Sequence, residues 1–201
     1  LVYKILKNIW QTEDIPEQWD FTTLIQLFKN KGDKQCFEFY RYIHTKGWMP
    51  KTFEAIIVEK MKPMLINKMS MFQIAKAGHR PQEHLFVAKS LIALYSQIKI
   101  PLFIQFIDIS KIFDKESLRD GMDTVYKSGI SGKLYRLWFK LNKRTIIGIM
   151  TGSGLSDFKE CGETIGQGSF GGALISAANL DEGIQTFFKS SNCLLYTSPS
   201  P

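Results

Sequence analysis

The stretch FIDISKIFD, residues 106–114, sets two carboxylates, Asp108 and Asp114, at the end of an apolar run. That run goes from Pro101 to Ile107 and has one polar member, Gln105. Strand alternation would place Ile104, Phe106 and Asp108 on one face and Phe103, Gln105 and Ile107 on the other. An ionised carboxylate leaving a buried strand costs on the order of several kcal/mol unless its charge is answered. A hard divalent cation such as Mg²⁺ answers it, because it takes oxygen ligands and keeps several waters. A helix N-terminus answers it equally well, and capping is the commoner task for such an aspartate. The residues alone leave both readings open.

Other reactive side chains point to less. Cys36, Cys161 and Cys193 are far apart and odd in number. They make neither a disulfide framework nor a paired zinc motif, and a reducing compartment is expected. His79 and His84 have no cysteine pair nearby and read as ordinary loop and helix residues. Gly166, Gly168 and Gly171 spell G-x-G-x-x-G, but Asp181 follows within the same expected helix. A dinucleotide fold needs a second parallel strand there, so that reading is rejected. Lys133, Arg136, Lys140 and Lys143 or Arg144 recur at helical intervals, with Leu134, Leu137, Trp138 and Leu141 opposite. Such a face could track phosphates, and a solvated exterior explains it more plainly.

These residues need a framework. The 201 residues, 44% apolar, suffice for one sizeable core, with room for two lobes. Formal net charge is +7, which favours nucleic acid or an anionic surface as partner. No run of eighteen apolar residues occurs, so no membrane partner is expected, and an intracellular site, cytoplasm or nucleus, is. Leu1 is not an initiator methionine and no signal peptide is visible, so a fragment boundary is expected there.

Helical spacing marks residues 1–10, 49–69 (with Pro63 inside, a candidate bend), 82–98, 115–129, 131–144 and 169–188. Gly129 reads as a helix stop. FTTLIQLF, 21–28, reads as a strand that a basic turn, KNKGD, returns towards CFEFYRYI as a hairpin. PLFIQFID, 101–108, reads as a strand buried on both faces, and 145–166 as two strands about a TGSG turn. Hairpins and single strands among helices make an α+β chain. NCLLYTSPSP changes character; it is similar to a translated sequencing-adapter scar, or is a natural disordered tail, and is set aside.

DISKIFD, 108–114, resembles motif A of retroelement reverse transcriptases, in which an aspartate is followed by x-x-lysine-alanine-phenylalanine-aspartate. Asp108, Lys111, Phe113 and Asp114 are kept, and Ile112 stands in place of alanine. Pro16 and Trp19 followed by FKNKGD resemble the finger region of the non-LTR type. FYRYI, 39–43, keeps Tyr40, Arg41 and Ile43 of an asparagine-tyrosine-arginine-proline-isoleucine run. KTFEAII, 51–57, and AGHRP, 77–81, are similar to the segments that follow. GQGSFGGALISAANLD, 166–181, resembles motif B, in which Gln-Gly-Ser opens a helix; Phe170 stands where proline is frequent. Each motif is weak alone, and their shared order over residues 1–190 makes the set fairly specific.

The resemblance implies a right-hand polymerase fragment, an antiparallel palm sheet packed on helices. Residues 1–100 would be fingers-like, 101–190 a partial palm, and 191–201 a non-native or disordered tail. It implies RNA-directed DNA synthesis with an RNA template, a DNA primer, deoxynucleoside triphosphates and two Mg²⁺ (or Mn²⁺) ions. Asp108 would be the catalytic metal ligand, with the Ile109 carbonyl as a further metal contact. Phe113 would lie under the sugar and exclude a 2′-hydroxyl; outside the motif it reads as a core aromatic. Arg41 would bind the triphosphate, with Lys29 or Lys31 as a second cation. Gln167 and Gly168 would meet the nascent base pair. Lys133, Arg136, Lys140 and Lys143 would be a nucleic-acid surface. No Asp-Asp pair, the family's third motif, occurs in the chain, so the chain alone is expected to polymerise nothing measurable. The alternatives are a non-catalytic nucleic-acid-binding module from a decayed retroelement and an inert pseudogene product. Oligomeric state is not legible.

Overall fold

The structure is a computed structural model. It describes residues 1–71, 73, 79–104, 106, 117–161 and 168–188, without the side chains of 187 and 188. Among these residues it is α+β: six α-helices and an open mixed sheet. No helix among them is long and apolar enough to cross a membrane.

Helix α1 (Val2–Thr12) ends at Glu13, whose backbone is left-handed (φ 61°) and whose amide bonds back to Ile9. A short 3₁₀ turn after Pro16 (Glu17–Asp20) delivers strand β1 (Phe21–Phe28). Strand β2 (Tyr40–Thr45) returns antiparallel, with Phe28 opposite Tyr40 and Thr23 opposite Thr45. Helices α2 (Trp48–Lys68), α3 (Pro81–Ile98), α4 (Leu118–Lys127) and α5 (Gly132–Asn142) follow. Pro63 lies inside α2, which runs through it although the ring removes one hydrogen-bond donor. At the start of α4, Ser117 Oγ accepts from the Asp120 amide (3.1 Å) and donates to the Asp120 carboxylate (2.7 Å), a reciprocal cap. Gly129, at φ +85°, closes α4: its amide bonds to the Tyr126 carbonyl and that of Ile130 to Val125.

Strand β3 (Thr145–Thr151) turns into β4 (Gly154–Leu155), and β5 (Lys159–Cys161) comes back to pair with β3. The order is β2-β1-β3-β4, with β5 also on β3. Strands β1 and β3 are parallel, Phe21 beside Ile146 and Ile25 beside Met150. The sheet is therefore mixed, where an antiparallel one was expected. The four described helices between β1 and β3 return the chain to the same end of the sheet, and only a parallel pairing suits that return. Helix α6 (Gly172–Phe188) is the last described element.

Residues 101–104 and 106 are not a strand, contrary to the expectation of a doubly buried one, and Phe103 and Phe106 are 93% and 91% exposed. A strand needs a neighbour for its backbone donors and acceptors, and no described strand pairs with this segment.

The core is helix on helix. Phe53, Ile57, Met61 and Leu65 of α2, Leu118 and Val125 of α4, Leu137, Trp138 and Leu141 of α5, and Ile175 of α6 are all essentially inaccessible. Helix α2 packs on α5 and α6, and α4 on both of those. Trp19 leans on Phe53 with ring centroids 5.7 Å apart, tying the first turn of the sheet to the helices.

Candidate nucleotide-facing site

Strand β2 and the start of α6 meet. Gly168 has φ +107°, a backbone that side chains rarely adopt. A Cβ there would come within 2.6 Å of the His44 carbonyl oxygen on β2. The turn therefore lies directly against the strand that holds Arg41, three residues before His44. At the usual rise per residue that is about 10 Å along β2. Arg41 itself is exposed and sits opposite Leu27.

Glu54 holds the turn from below. It projects from α2 and is 2% exposed. Its carboxylate accepts from Ser169 Oγ (2.5 Å) and from the Gly171 amide (3.4 Å), while Ser169 Oγ accepts from the Gly172 amide (3.2 Å). The Gly171 amide, just before α6, thus meets a negative group, which suits the positive end of a helix. A Cβ on Gly171 would press to 2.9 Å from Val58 and 3.2 Å from Trp138 Nε1, so the glycine allows α6 to start against α2 and α5. Trp138 Nε1 is buried without a hydrogen-bond partner.

Lys46 brings a positive charge to this crevice. Its Nζ donates to the Leu141 carbonyl at the end of α5 (3.0 Å). Burial pushes its pKa down, and the Glu54 and Asp20 carboxylates pull it back up. Asp20 is nearly buried; desolvation raises its pKa, opposed first by Arg144, 3.6 Å away, then by Lys46. The space between Lys46, Lys51, Glu54, Asn142, Gly168 and Ser169 is about 20 Å³, room for one water. It is a joint between elements, too small for a nucleotide.

The remaining expected residues are distributed as follows. Lys29 donates to the Glu38 carbonyl (3.0 Å) across the hairpin end, and Lys31 lies exposed on the same turn. In the basic stripe, Arg136 grips Glu13 through two bonds (2.6 and 2.7 Å), and Lys140 Nζ donates to the Glu13 carbonyl (2.8 Å). These two cations fasten the C-terminus of α1 to α5, where positive charge is favourable. Beside them Lys143 lies exposed and Lys133 half-buried. Asp108, Ile109, Phe113 and Gln167 lie outside the described residues, as do Lys111, Asp114 and the tail from 191.

Among the described residues no group of three or more His, Cys, Asp or Glu side chains could hold a metal. The Mg²⁺ reading therefore rests on the donor chemistry of Asp108. Cys36 and Cys161 are free thiols. Asp181 lies in α6 and accepts from the Ser70 amide (2.7 Å) and hydroxyl (2.9 Å).

Sequence reasoning missed Glu54 and Lys46. A signal for Glu54 was present: it falls on the same helical stripe as Phe53, Ile57, Val58 and Met61, a carboxylate on a face otherwise apolar. Lys46 has no comparable signal, since its environment comes from α5. No family model matches this chain, and no curated protein matches it.

Proposed function

We propose that the chain is the fingers and part of the palm of a retroelement reverse transcriptase of the non-LTR type, whose complete form performs RNA-templated DNA synthesis. The supporting observation is the approach of the Gly168 turn to β2, the strand of Arg41. Residues from two distant motifs meet at one strand, Arg41 on it and Gly168 against it, as a site gripping a triphosphate and a base pair at once requires.

In this reading Arg41 forks onto the triphosphate oxygens, and Lys31 adds charge because Lys29 is engaged with Glu38. Gly168 lets the backbone approach the nascent pair, which Gln167 contacts. Phe113 lies under the sugar and excludes a 2′-hydroxyl. Asp108, with the Ile109 carbonyl, holds Mg²⁺ or Mn²⁺, which supplies charge stabilisation at the attacking and leaving oxygens. Lys143, exposed, and the half-buried Lys133 are the cations of the stripe that face a template–primer duplex. Residues 1–100 are the fingers-like part and 101–190 the partial palm.

Deoxynucleotide binding in Mg²⁺ tests the reading. Binding lost on Arg41→Ala and on Asp108→Ala supports it. Oligonucleotide binding that survives Asp108→Ala and collapses with salt favours a decayed nucleic-acid-binding module instead. Primer extension by the chain alone should give no product; Asp108-dependent synthesis would show the site to be complete.

A further inference from the structure

The geometry points to Glu54 as a positioning residue for the Gly168 turn: it holds that turn on β2, and so sets how the turn and Arg41 are presented together. The inference rests on the reading of this side as nucleotide-facing. It goes beyond that reading in assigning the task to a side chain that touches no nucleotide.

Three observations carry it. First, Glu54 is a buried carboxylate with an electrostatic reason to stay: Ser169 Oγ, the Gly171 amide and the N-terminal end of α6 all face it. An unanswered carboxylate at such a site would be costly. Second, the clasp spans three elements. Glu54 belongs to α2, Ser169 and Gly171 to the start of α6, and the turn they fix lies on β2 at His44. Third, the turn is rich in glycine. Gly168, with its open range of backbone angles, is its most permissive residue, and Gly171 and Gly172 follow closely. Such a turn, set against a strand, gains from an anchor outside it, and the Glu54 carboxylate supplies one through Ser169 and Gly171.

Lys46 balances the charge from the far side of the crevice, fixed in turn by the Leu141 carbonyl. A change at the end of α5 would thus reach the turn through Lys46 and Glu54.

The test uses the full chain and the variants Glu54→Ala, Glu54→Gln and Ser169→Ala. Backbone hydrogen exchange is followed at 168–172 and in the α2–α5 core, with Mg²⁺-dependent dTTP binding measured alongside. Loss of the clasp in Glu54→Ala should speed exchange at Gly171 and Gly172 about tenfold, with core amides unchanged. Glu54→Gln still offers a carbonyl oxygen to Ser169 and Gly171 and should stay within about threefold of wild type. Affinity for dTTP should fall about tenfold in Glu54→Ala and recover in Glu54→Gln.

Equal exchange in Glu54→Ala and wild type overturns the assignment. So does acceleration spread evenly over the core, or an opened turn with unchanged dTTP affinity. If Glu54→Ala does not fold, Ser169→Ala breaks the same clasp from the other side and is judged by the same outcomes. A wild-type chain that binds no dTTP sinks the polymerase reading instead, and the exchange comparison then decides for or against the clasp by itself.

Discussion

Helix α2 sets Phe53, Ile57, Met61 and Leu65 at the centre of the core, each at most 1% exposed, whereas α3, three residues shorter, has no buried residue along its length. Both are apolar. In α3 a stripe of Val87, Ala88, Leu91 and Tyr95 is half-covered, while Leu85, Phe86, Ile92, Leu94 and Ile98 are half exposed or more. The surplus continues past the helix into Ile100, Phe103, Ile104 and Phe106. An open groove of about 360 Å³ runs between Ile92 and Tyr95 on one side and Ile100 and Ile104 on the other. Apolar periodicity thus announces that a helix is to be covered, and says nothing of what covers it. For α2 the cover is α5 and α6; for α3 none of the described elements packs closely enough to bury a residue.

The sharpest way to break this contrast is a matched pair of truncations. Phe53→Ala should cost about 3–5 kcal/mol in urea unfolding, and Phe86→Ala, at 73% exposure, about 0.5 kcal/mol or less. Equal costs would mean that α3 is covered after all. Next in size, Asp181→Ala leaves the Ser70 amide without its acceptor and should cost about 1–3 kcal/mol by the same measurement. That bond anchors the end of α2, so the effect should appear in α2 exchange and spare α3. Gly168→Ala forces a side chain into φ +107° and towards the His44 carbonyl, at a cost of about 1–3 kcal/mol.

A smaller effect is set by pH. The Arg136 guanidinium hydrogen-bonded to Glu13 holds that carboxyl below its ordinary value of 4.5. Such a lowered acid contributes stability above its unfolded pKa and loses it as pH falls through the folded one. Protection of the α1 amides, relative to intrinsic exchange at each pH, should therefore fall below pH 4.5, and Arg136→Ala should flatten that step. The least costly change is Phe86→Ser with Ile92→Ser: the melting temperature should hold while binding of an apolar fluorescent dye drops.

Much of the framework was legible in the sequence. FTTLIQLF matches β1 residue for residue, and Gly129 ends its helix as expected, because both signals are local. The parallel pairing of β1 with β3 was not legible, because it depends on how the intervening helices carry the chain back. The apolar run from Pro101 read as a strand because composition cannot report whether a ladder partner is at hand. At the site, Arg41 and Gly168 stood out through motifs rather than through local physics. The stripe on α5 was visible as charge, yet the engagement of Arg136 and Lys140 by Glu13 depends on where α1 ends.

The union of β1 with β3 also governs how the molecule assembles. During synthesis the hairpin emerges early and must wait for residue 145 before its inner edge finds a mate, so its closing contact is among the most distant in the chain. Until then β1 offers a bare row of amides and carbonyls to any neighbouring nascent chain. Folding yield should consequently depend on dilution more than that of a purely helical chain of equal length would.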